Sequence, residues 1–487
     1  MQRNERLQLL AIAAVTVAVR CWFMVRFRVD SDEPQHLHVA WAWTQGLVQY
    51  RDVFDNHLPL LHLLFAPVMA VAPQSSDVFL FTRAAILPIA LGCGWLFYLF
   101  AKPLYGARVA AVAALTFSVA PPWLAKSVEV RNDTLWMFFW LLALLLMARP
   151  KGPAYFWAGV ACALSFLASI KFAPLFLAHL LAFATQRHTI PPARDLARFA
   201  AGAALPVVGV CLAMFAAGAL DDMLYATLLF NASTPVHPAR RIAGFVIFAI
   251  VAAAIFIKAK RAPHLLLFAL WYPSVLLAFW PILTPRDFLP LIPLFTLWIA
   301  LRWRGAVAIP VAAAVIYSYV DSRLWRGPDP ARGAFIDAAM RLTAPDDYVL
   351  DLKGDAVFRR RPIYYIYEDV GRALTEKGAL PDHGPERIVE RGCCAAIRDT
   401  SHLPPRTRAF LNRYFIGEGV FRVCGARVSG RTFEIGVPQT YAVLGGSGVT
   451  IDGIPYRGPR RLNAGTHSIE TATPVTVVWA RAAKEWK

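Results

Sequence analysis

Charged side chains are scarce in this chain of 487 residues, since Asp, Glu, Lys and Arg together make up only 17% of it. Hydrophobic residues make up 57%, and the mean hydropathy is +0.47. The core of a soluble protein of this length needs fewer apolar residues than that. The composition therefore excludes an ordinary soluble protein and predicts a polytopic membrane protein.

Acidic residues are the scarcer of the two signs, with 32 Asp and Glu against 50 Lys and Arg, and the formal net charge is +18. The sequence has no nucleic-acid-binding motif, no solenoid repeat and no low-complexity tract. Lys and Arg concentrate in the short segments between apolar stretches that the positive-inside rule assigns to the cytoplasm. The surplus therefore predicts topology and contact with membrane lipids, and no nucleic acid partner.

Cysteine is also rare, and the seven residues form no zinc-ligand pattern. Four of them lie in or beside apolar stretches, where a small apolar side chain explains them: Cys21, Cys93, Cys162 and Cys211. Three lie in the C-terminal part. In an oxidising compartment Cys424 can pair with either Cys393 or Cys394, and the sequence leaves both pairings open.

Apolar stretches long enough for membrane helices recur along the first two thirds of the chain. Basic residues precede the first stretch and no small-residue cleavage site follows it, so we expect a retained helix. An N-terminus inside and eleven spans place the C-terminal part outside. The expected spans are 7–24, 78–100, 107–122, 134–148, 154–170, 172–186, 197–219, 242–257, 264–283, 286–301 and 305–320.

The composition changes at about residue 321, where Asp, Arg, Gly and Pro return. We expect a transmembrane domain over 1–320 and a soluble domain after it, large enough for its own core. Its first region, 321–430, mixes strand-like runs at 348–352 and 363–367 with a helical stretch at 331–342, which indicates an α/β region. The last region, 431–487, alternates short β-rich runs with Gly turns and predicts a small β-sandwich. The fold class is thus an all-α membrane domain followed by an α/β and then a β region.

The first outer loop, 25–77, carries the sequence Asp30-Ser-Asp-Glu-Pro-Gln-His-Leu-His38 directly after the first span. Acids and histidines crowded against a membrane surface suggest chemistry. Two amphipathic pieces, 35–45 and 58–71, are expected to lie along the membrane. The loop is too long for a simple connector, so we interpret it as catalytic.

The motifs of this loop resemble the polyprenyl-phosphate-sugar-dependent glycosyltransferases of the glycosyltransferase C (GT-C) superfamily. The resemblance is to the bacterial relatives of the protein O-mannosyltransferases and of the lipid A aminoarabinose transferase, and it covers roughly 1–320. The residues that carry it are Asp32-Glu33, Tyr50-Arg51-Asp52, Asp55-Asn56-His57-Leu58-Pro59-Leu60, Arg131-Asn132-Asp133, Ile170-Lys171-Phe172 and Pro285-Arg286-Asp287-Phe288-Leu289-Pro290.

The resemblance implies transfer of a sugar from a polyprenyl-phosphate donor to a lipid, glycan or protein acceptor, with inversion. It makes Asp32 the general base, with Glu33 beside it. Independently of the family, the charged groups fall at the outer ends of spans, where ionisable residues indicate function and cations suit a departing phosphate. The expected donor-phosphate ligands are Lys171, Arg286 and Arg131, and the acceptor or supporting residues are Asp133, His57 and Arg51.

Each of these residues also has a simpler explanation. Asp32 and Glu33 suit the first turn of a helix, Asp133 can cap a span, and Lys171 can extend to the headgroups. Arg286 can pair with Asp287, a position where many family members carry an aromatic residue.

The adjacent carboxylates of Asp32 and Glu33 also predict a raised pKa for the base, Asp32.

Two further questions stay open at this level. A divalent metal bound by Asp30, Asp32 and His36 is an alternative use of the acidic loop, and no cofactor is otherwise indicated. A multi-span transporter or lipid flippase is the alternative function, although the sequence shows neither inverted halves nor matching broken helices. For the enzyme we expect the bacterial inner membrane, with the C-terminal domain in the periplasm.

Overall fold

The computed structural model describes residues 3–148, 152–185, 191–233, 263–280, 283–302, 308–327 and 330–486. The first two thirds of this part are helical. Up to residue 233 the described α-helices are α1 (Arg3–Arg26), α2 (Asp32–Thr44), α3 (Leu60–Ala70), α4 (Val78–Tyr105), α5 (Ala107–Val119), α6 (Pro121–Ser127), α7 (Asn132–Met147), α8 (Pro153–Ala168), α9 (Phe172–Thr185), α10 (Ala193–Ala216) and α11 (Leu220–Leu224), which a π-helical turn, Tyr225–Phe230, continues. After residue 262 follow α12 (Pro263–Phe279), α13 (Leu291–Arg302), α14 (Ala308–Asp321), α15 (Pro330–Leu342), α16 (Asp369–Glu376), α17 (Gly384–Glu390) and α18 (Pro405–Tyr414).

Three described helices, α1, α4 and α10, are long and apolar enough to cross a membrane. A fourth span results if α5 and α6, which meet at a bend of 61°, count as one. Seven further apolar helices have 10–17 residues, shorter than a typical span. The predicted number of eleven spans is therefore not established, and the predicted span at 242–257 lies outside the described residues. The chain is a membrane protein with several apolar helices.

Helices α8 and α10 pack with their backbones in contact at two glycines. A Cβ atom on Gly159 would lie 2.1 Å from the carbonyl oxygen of Phe199, and one on Gly202 would lie 2.0 Å from that of Phe156. A larger residue at either position would force the two helices apart. Small residues at such crossings are typical of helices packed in membranes, where close backbone approach replaces the hydrophobic effect.

Three local features place charged residues at helix ends. Helix α2 begins at Asp32, with two acids in its first turn, as the helix dipole favours. Helix α7 begins directly after Arg131, whose backbone is extended. Lys171 lies in the turn between α8 and α9, because the two apolar stretches are separate helices that end at Ala168 and begin at Phe172.

The C-terminal part is rich in β-structure, as the sequence predicts. Its strands are β1 (Val349–Leu350), β2 (Ala395–Ile397), β3 (Phe415–Glu418), β4 (Phe421–Val428), β5 (Thr432–Ile435), β6 (Gln439–Leu444), β7 (Thr450–Ile451), β8 (Ile454–Pro455), β9 (Arg460–Leu462), β10 (Gly465–Glu470) and β11 (Val475–Trp479). One sheet has the order β1-β2-β4-β11-β6-β9, with β3 also on β4, and a second has the order β5-β10-β7-β8. We call the part of the chain after residue 321 the tail. The first sheet joins strands from both sides of residue 430, the boundary that the sequence predicts between the two regions of the tail. Cys424 forms a disulfide with Cys394.

The strand expected at 363–367 does not form. The Arg361 guanidinium lies under this segment and donates to the carbonyl oxygens of Leu352 and Tyr365, each at 3.0 Å. The Tyr365 carbonyl is therefore used by a side chain rather than by a neighbouring strand, and the segment, whose Tyr367 amide donates to the Leu352 carbonyl oxygen, forms a series of bends. The helix expected at 331–342 is confirmed as α15.

The tail packs directly on the first loop. His38 Nδ1 lies 2.8 Å from the carbonyl oxygen of Val357, and the Tyr364 hydroxyl donates to the carbonyl oxygen of Tyr50. These contacts bring the loop that follows β1 against the start of α2, where the first loop carries its acids.

Candidate active site

Asp32 lies where three cationic side chains meet. Its Oδ2 accepts hydrogen bonds from Arg131 and, at 3.1 Å, from Arg286, while its Oδ1 accepts from Lys353 Nζ at 2.7 Å. Burial by itself raises the pKa of this carboxyl, but the three positive charges outweigh burial and hold the pKa well below its usual range. The prediction of a raised pKa is therefore wrong, because cations rather than a second carboxylate surround Asp32.

Arg131 connects the acids of this region. Its Nη1 is 2.6 Å from Asp30 Oδ1, and its Nε lies 3.6 Å from Glu129 and 3.4 Å from Asp133. The side chain is only 4% exposed. Its planar fork matches carboxylates well, so it holds Asp30 and Asp32 in place. This arrangement favours a structural role for Arg131 over the expected role as a donor-phosphate ligand, because four carboxylates already share its charge.

Glu33, the neighbour of Asp32, points the other way and is completely buried. Both of its oxygens bind Arg83 of α4, with Oε1 2.8 Å from Nε and Oε2 2.6 Å from Nη2. The amide of Val130 donates to Oε1 as well, at 3.2 Å. This carboxylate is enclosed and fully paired, so it fastens α2 to α4 and has no access to a substrate hydroxyl. The expected catalytic role of Glu33 is therefore disfavoured.

A cavity of about 350 Å³ lies beside Asp32. Lys171 and Arg286 line it, together with apolar walls from Leu58, Phe279 and Trp280. Arg286 thus borders both the cavity and Asp32, and a third of its side chain is exposed. Cations set in apolar walls form the kind of pocket that binds an amphipathic anion.

Asp287 and Asp133 orient Lys171. Its Nζ lies 2.8 Å from Asp287 Oδ1 and 3.6 Å from Asp133 Oδ1. Asp287 Oδ2 in turn accepts from the amide and hydroxyl of Thr284, at 2.8 and 2.7 Å. The Arg286–Asp287 pair considered from the sequence is absent from the described ion pairs: Asp287 binds Lys171, and Arg286 binds Asp32. The lysine therefore faces the cavity from a fixed position.

The histidines of the first loop form a second, separate group. His57 lines the cavity, and its Nδ1 lies 2.9 Å from Asp55 Oδ1. His36 Nδ1 lies 3.0 Å from His62 Nε2. Burial, together with His57 and His62, lowers the pKa of His36, and burial lowers the pKa of His62 to about 4, so both rings are neutral at pH 7.

The structure does not group Asp30, Asp32 and His36, the metal ligands considered from the sequence. Both acids are paired with Arg131, and a cation beside them disfavours a metal ion. His36 instead faces His62 and Asp55. Arg51, expected near the acceptor, is an exposed residue that binds Asp52 at 2.8 Å and the carbonyl oxygen of Ala217 at 2.7 Å. It is absent from the lining of the cavity.

Three site residues escape the sequence patterns. Lys353 reaches Asp32 from the tail and also binds Glu368 at 2.5 Å, with only 1% of its side chain exposed; nothing in its polar loop marks it. Glu129 is buried beside Lys126 and Arg131, and burial raises its pKa to about 7. Arg83 could have been identified from the sequence, because an arginine inside an apolar helix is costly and indicates a buried partner.

Comparison with known proteins gives similarity at the level of structure alone. No protein-family model matches the chain, and no curated protein matches its sequence. Among solved structures, ArnT from Cupriavidus metallidurans bound to undecaprenyl phosphate is similar, with 14% identity, a TM-score of 0.49, and 85% of this chain and 97% of that chain covered.

The archaeal oligosaccharyltransferase AglB from Archaeoglobus fulgidus, in complex with an inhibitory peptide and a dolichol-phosphate, is similar as well. The identity is 12%, the TM-score is 0.48, and the match covers 86% of this chain and 74% of that one.

Proposed function

We propose that this chain is an integral membrane glycosyltransferase that moves a sugar from a polyprenyl-phosphate-linked donor to a hydroxyl of a lipid, glycan or protein. The observation that carries the proposal is the position of Arg286, which borders both the Asp32 carboxylate and the cavity. A base and an anion site next to each other are what transfer from a lipid phosphate requires.

The cavity suits the donor's phosphate and the first part of its lipid. Lys171 and Arg286 supply the positive charge that a departing phosphate needs, and Phe279 and Trp280 offer apolar contact to an isoprenoid chain. Lys171 is held by Asp287, so a phosphate there would share this cation rather than replace its partner.

Asp32 would act as the general base on the acceptor hydroxyl, and inversion follows from direct displacement at the anomeric carbon. In the structure its carboxylate is a weak base, because three cations hold its pKa low. A phosphate that draws Arg286 towards the cavity removes one of these charges and raises the basicity of Asp32. Donor binding would then activate the base. Without a donor, the three cations would keep Asp32 a weak base.

The site would face the outer side of the membrane. The positive-inside rule places the first loop and the tail outside, and for a bacterium that side is the periplasm. The tail would then cover the site on the outer side of the membrane, since Lys353 of the tail binds Asp32.

The test uses the full-length protein in lipid nanodiscs, with a panel of polyprenyl-phosphate sugars and candidate acceptors, and mass spectrometry to follow the donor. Wild type should consume one donor. Asp32→Asn should remain folded and lose about 10²- to 10⁴-fold in turnover, as expected on loss of a general base. Lys171→Met and Arg286→Met should instead raise the apparent donor KM.

Asp77→Asn is the matched control, because Asp77 is an exposed acid of the same loop. It should turn over like wild type. Full turnover by Asp32→Asn would reject Asp32 as the base. If wild type neither consumed nor bound any donor of the panel, even with every acceptor present, the enzyme proposal would fail and lipid-flipping assays in vesicles would test the transporter alternative.

A further inference from the structure

Three buried side chains of the first loop converge on one point. His36 comes from α2, Asp55 from the connecting segment and His62 from α3, and one donor atom from each lies within 4.8 Å of the others. The side chains of Asp55 and His62 have no exposed surface, and His36 is 2% exposed. His62 Nε2 is 3.0 Å from His36 Nδ1 and 3.8 Å from Asp55 Oδ2.

Hydrogen bonds fix the tautomer of His62. Its Nδ1 lies 3.1 Å from Oε1 of Gln49. The Gln49 amide cannot be turned around, since its Nε2 donates to the carbonyl oxygen of His57 and its Oε1 accepts from the indole of Trp43. An amide oxygen only accepts, so the proton of His62 is on Nδ1, and the lone pair of Nε2 points into the cluster. Metal-bound histidines are oriented in the same way, by a carbonyl or carboxylate on the other nitrogen.

Asp55 is oriented by its neighbours as well. Its Oδ1 accepts from the amide of His57 at 2.6 Å, and its Oδ2 accepts from the amide of Gln35 at 3.1 Å. The carboxylate is thus held with Oδ2 towards His62. Supporting hydrogen bonds of this kind are typical of carboxylates that ligate a metal.

Without a metal, His36 Nδ1 has to donate its proton to His62 Nε2 across their 3.0 Å contact. Two nitrogens bound to the same tetrahedral metal at about 2.0–2.1 Å are about 3.3 Å apart. For the two nitrogens a metal would therefore take the place of this proton with a shift of a few tenths of an ångström, while Asp55 Oδ2, now 3.8 Å from His62 Nε2, would have to move closer. Two imidazoles and one carboxylate favour zinc and neighbouring transition metals over magnesium or calcium.

We propose that His36, Asp55 and His62 bind a divalent transition metal of the Zn(II) class. The metal would fasten α2, the Asp55 segment and α3 to one another. Because His57 is held by Asp55 and lines the cavity, the metal would also fix this part of the cavity wall. The site differs from the acidic set considered from the sequence and does not depend on the proposed transfer reaction.

The test uses the full-length, tag-free protein in detergent, stripped with a chelator and reloaded. Wild type should hold one Zn(II) per chain by mass spectrometric metal analysis. Co(II) in its place should show visible d–d bands of nitrogen and oxygen coordination, and Zn(II) should raise the unfolding temperature. Asp55→Asn and His62→Gln should lose the Co(II) bands and weaken Zn(II) binding by more than about 100-fold.

His467→Gln is the matched control, because His467 pairs with Asp452 in the tail, away from the first loop. It should keep the bands and the affinity of wild type. If Asp55→Asn and His62→Gln do not fold, Zn(II) uptake and the unfolding temperature of the wild-type protein decide. Failure to take up stoichiometric Zn(II), or an unfolding temperature that Zn(II) does not change, would overturn the proposal. Loss of the bands in His467→Gln would move the site to the tail and reject it equally.

Discussion

The Glu33–Arg83 ion pair gives the sharpest prediction, because it separates two adjacent acids that the sequence treats alike. Glu33→Gln removes one charge of a pair in which both side chains are buried, 0% and 3% exposed. Breaking a buried pair by removing one partner costs about 3 to 5 kcal/mol, since the other charge stays in a poorly solvated site.

The structure places this variant at the lower end of that range. Arg83 also donates from Nη1 and Nη2 to the carbonyl oxygens of Met24, Phe27 and Arg28, at 2.9 to 3.1 Å, so these two groups keep partners when the carboxylate is lost. The glutamine oxygen can still accept from the amide of Val130. We therefore expect a loss of about 3 kcal/mol in the free energy of unfolding, from the uncompensated charge.

The assay is thermal unfolding in nanodiscs, followed by tryptophan fluorescence, together with donor turnover well below the transition. Glu33→Gln should unfold several degrees lower than wild type and keep its turnover per folded molecule. Adding Arg83→Met should recover part of the loss, because the orphaned charge is then removed.

Glu5→Gln is the matched control, since Glu5 pairs with Arg108 and both side chains are partly exposed; this substitution should cost at most about 1 kcal/mol. An unchanged unfolding temperature together with abolished turnover would refute the structural role of Glu33 and restore it as a catalytic residue.

Three further predictions concern the pH dependence and the tail. Lys353→Met removes one of the cations on Asp32, so the acid limb of the pH–rate profile should move up by about one to three pH units. The pKa of Glu129 is about 7 in the folded protein, above its usual value, so its contribution lowers the free energy of unfolding as pH rises from about 4.5 to 7, by up to about 3 kcal/mol. Glu129→Gln should abolish this decrease when unfolding is measured across that pH range. Cys394→Ser breaks the disulfide to Cys424 and should destabilise the tail by about 2 to 5 kcal/mol in thermal unfolding.

Each of these has its own control. Glu368→Gln leaves the Lys353–Asp32 contact in place and should shift the acid limb little. An acid limb that Lys353→Met leaves unmoved would show that Asp32 is not the titrating group. Equal pH slopes for wild type and Glu129→Gln would contradict the raised pKa. Cys393→Ser, at the neighbouring buried thiol, should destabilise less than Cys394→Ser, and the reverse order would exchange their roles.

The sequence predicts many of the strands of the tail, and the strand expected at 363–367 is an exception. β-Rich runs and Gly turns give the strands near 432, 441 and 475, because period-2 alternation and turn residues are local signals. The segment 363–367 has the same β-rich composition but forms bends, and the Arg361 side chain binds the carbonyl oxygen of Tyr365 within it. Such a contact depends on where another side chain lies, which composition does not record.

The candidate site is predicted only in its residue types and rough location. Asp32, Lys171 and Arg286 are found at helix ends as expected, because ionisable residues next to apolar stretches stand out in a sequence. The sequence could not separate Asp32 from Glu33, since neighbours on a helix point in different directions and only packing shows which of them meets Arg83. The pKa of Asp32 was predicted in the wrong direction for the same reason.

By itself the sequence determined that this is a membrane protein with apolar helices, an acidic first loop and a β-rich tail, because hydrophobicity and turn chemistry act over a few residues. Only the tertiary structure decided the partners. It brought Lys353 to Asp32 over 321 positions of chain and set His36 against His62 rather than against the acids. Charges and ligands act through distance in space, and that distance is fixed only when the helices and the tail have packed.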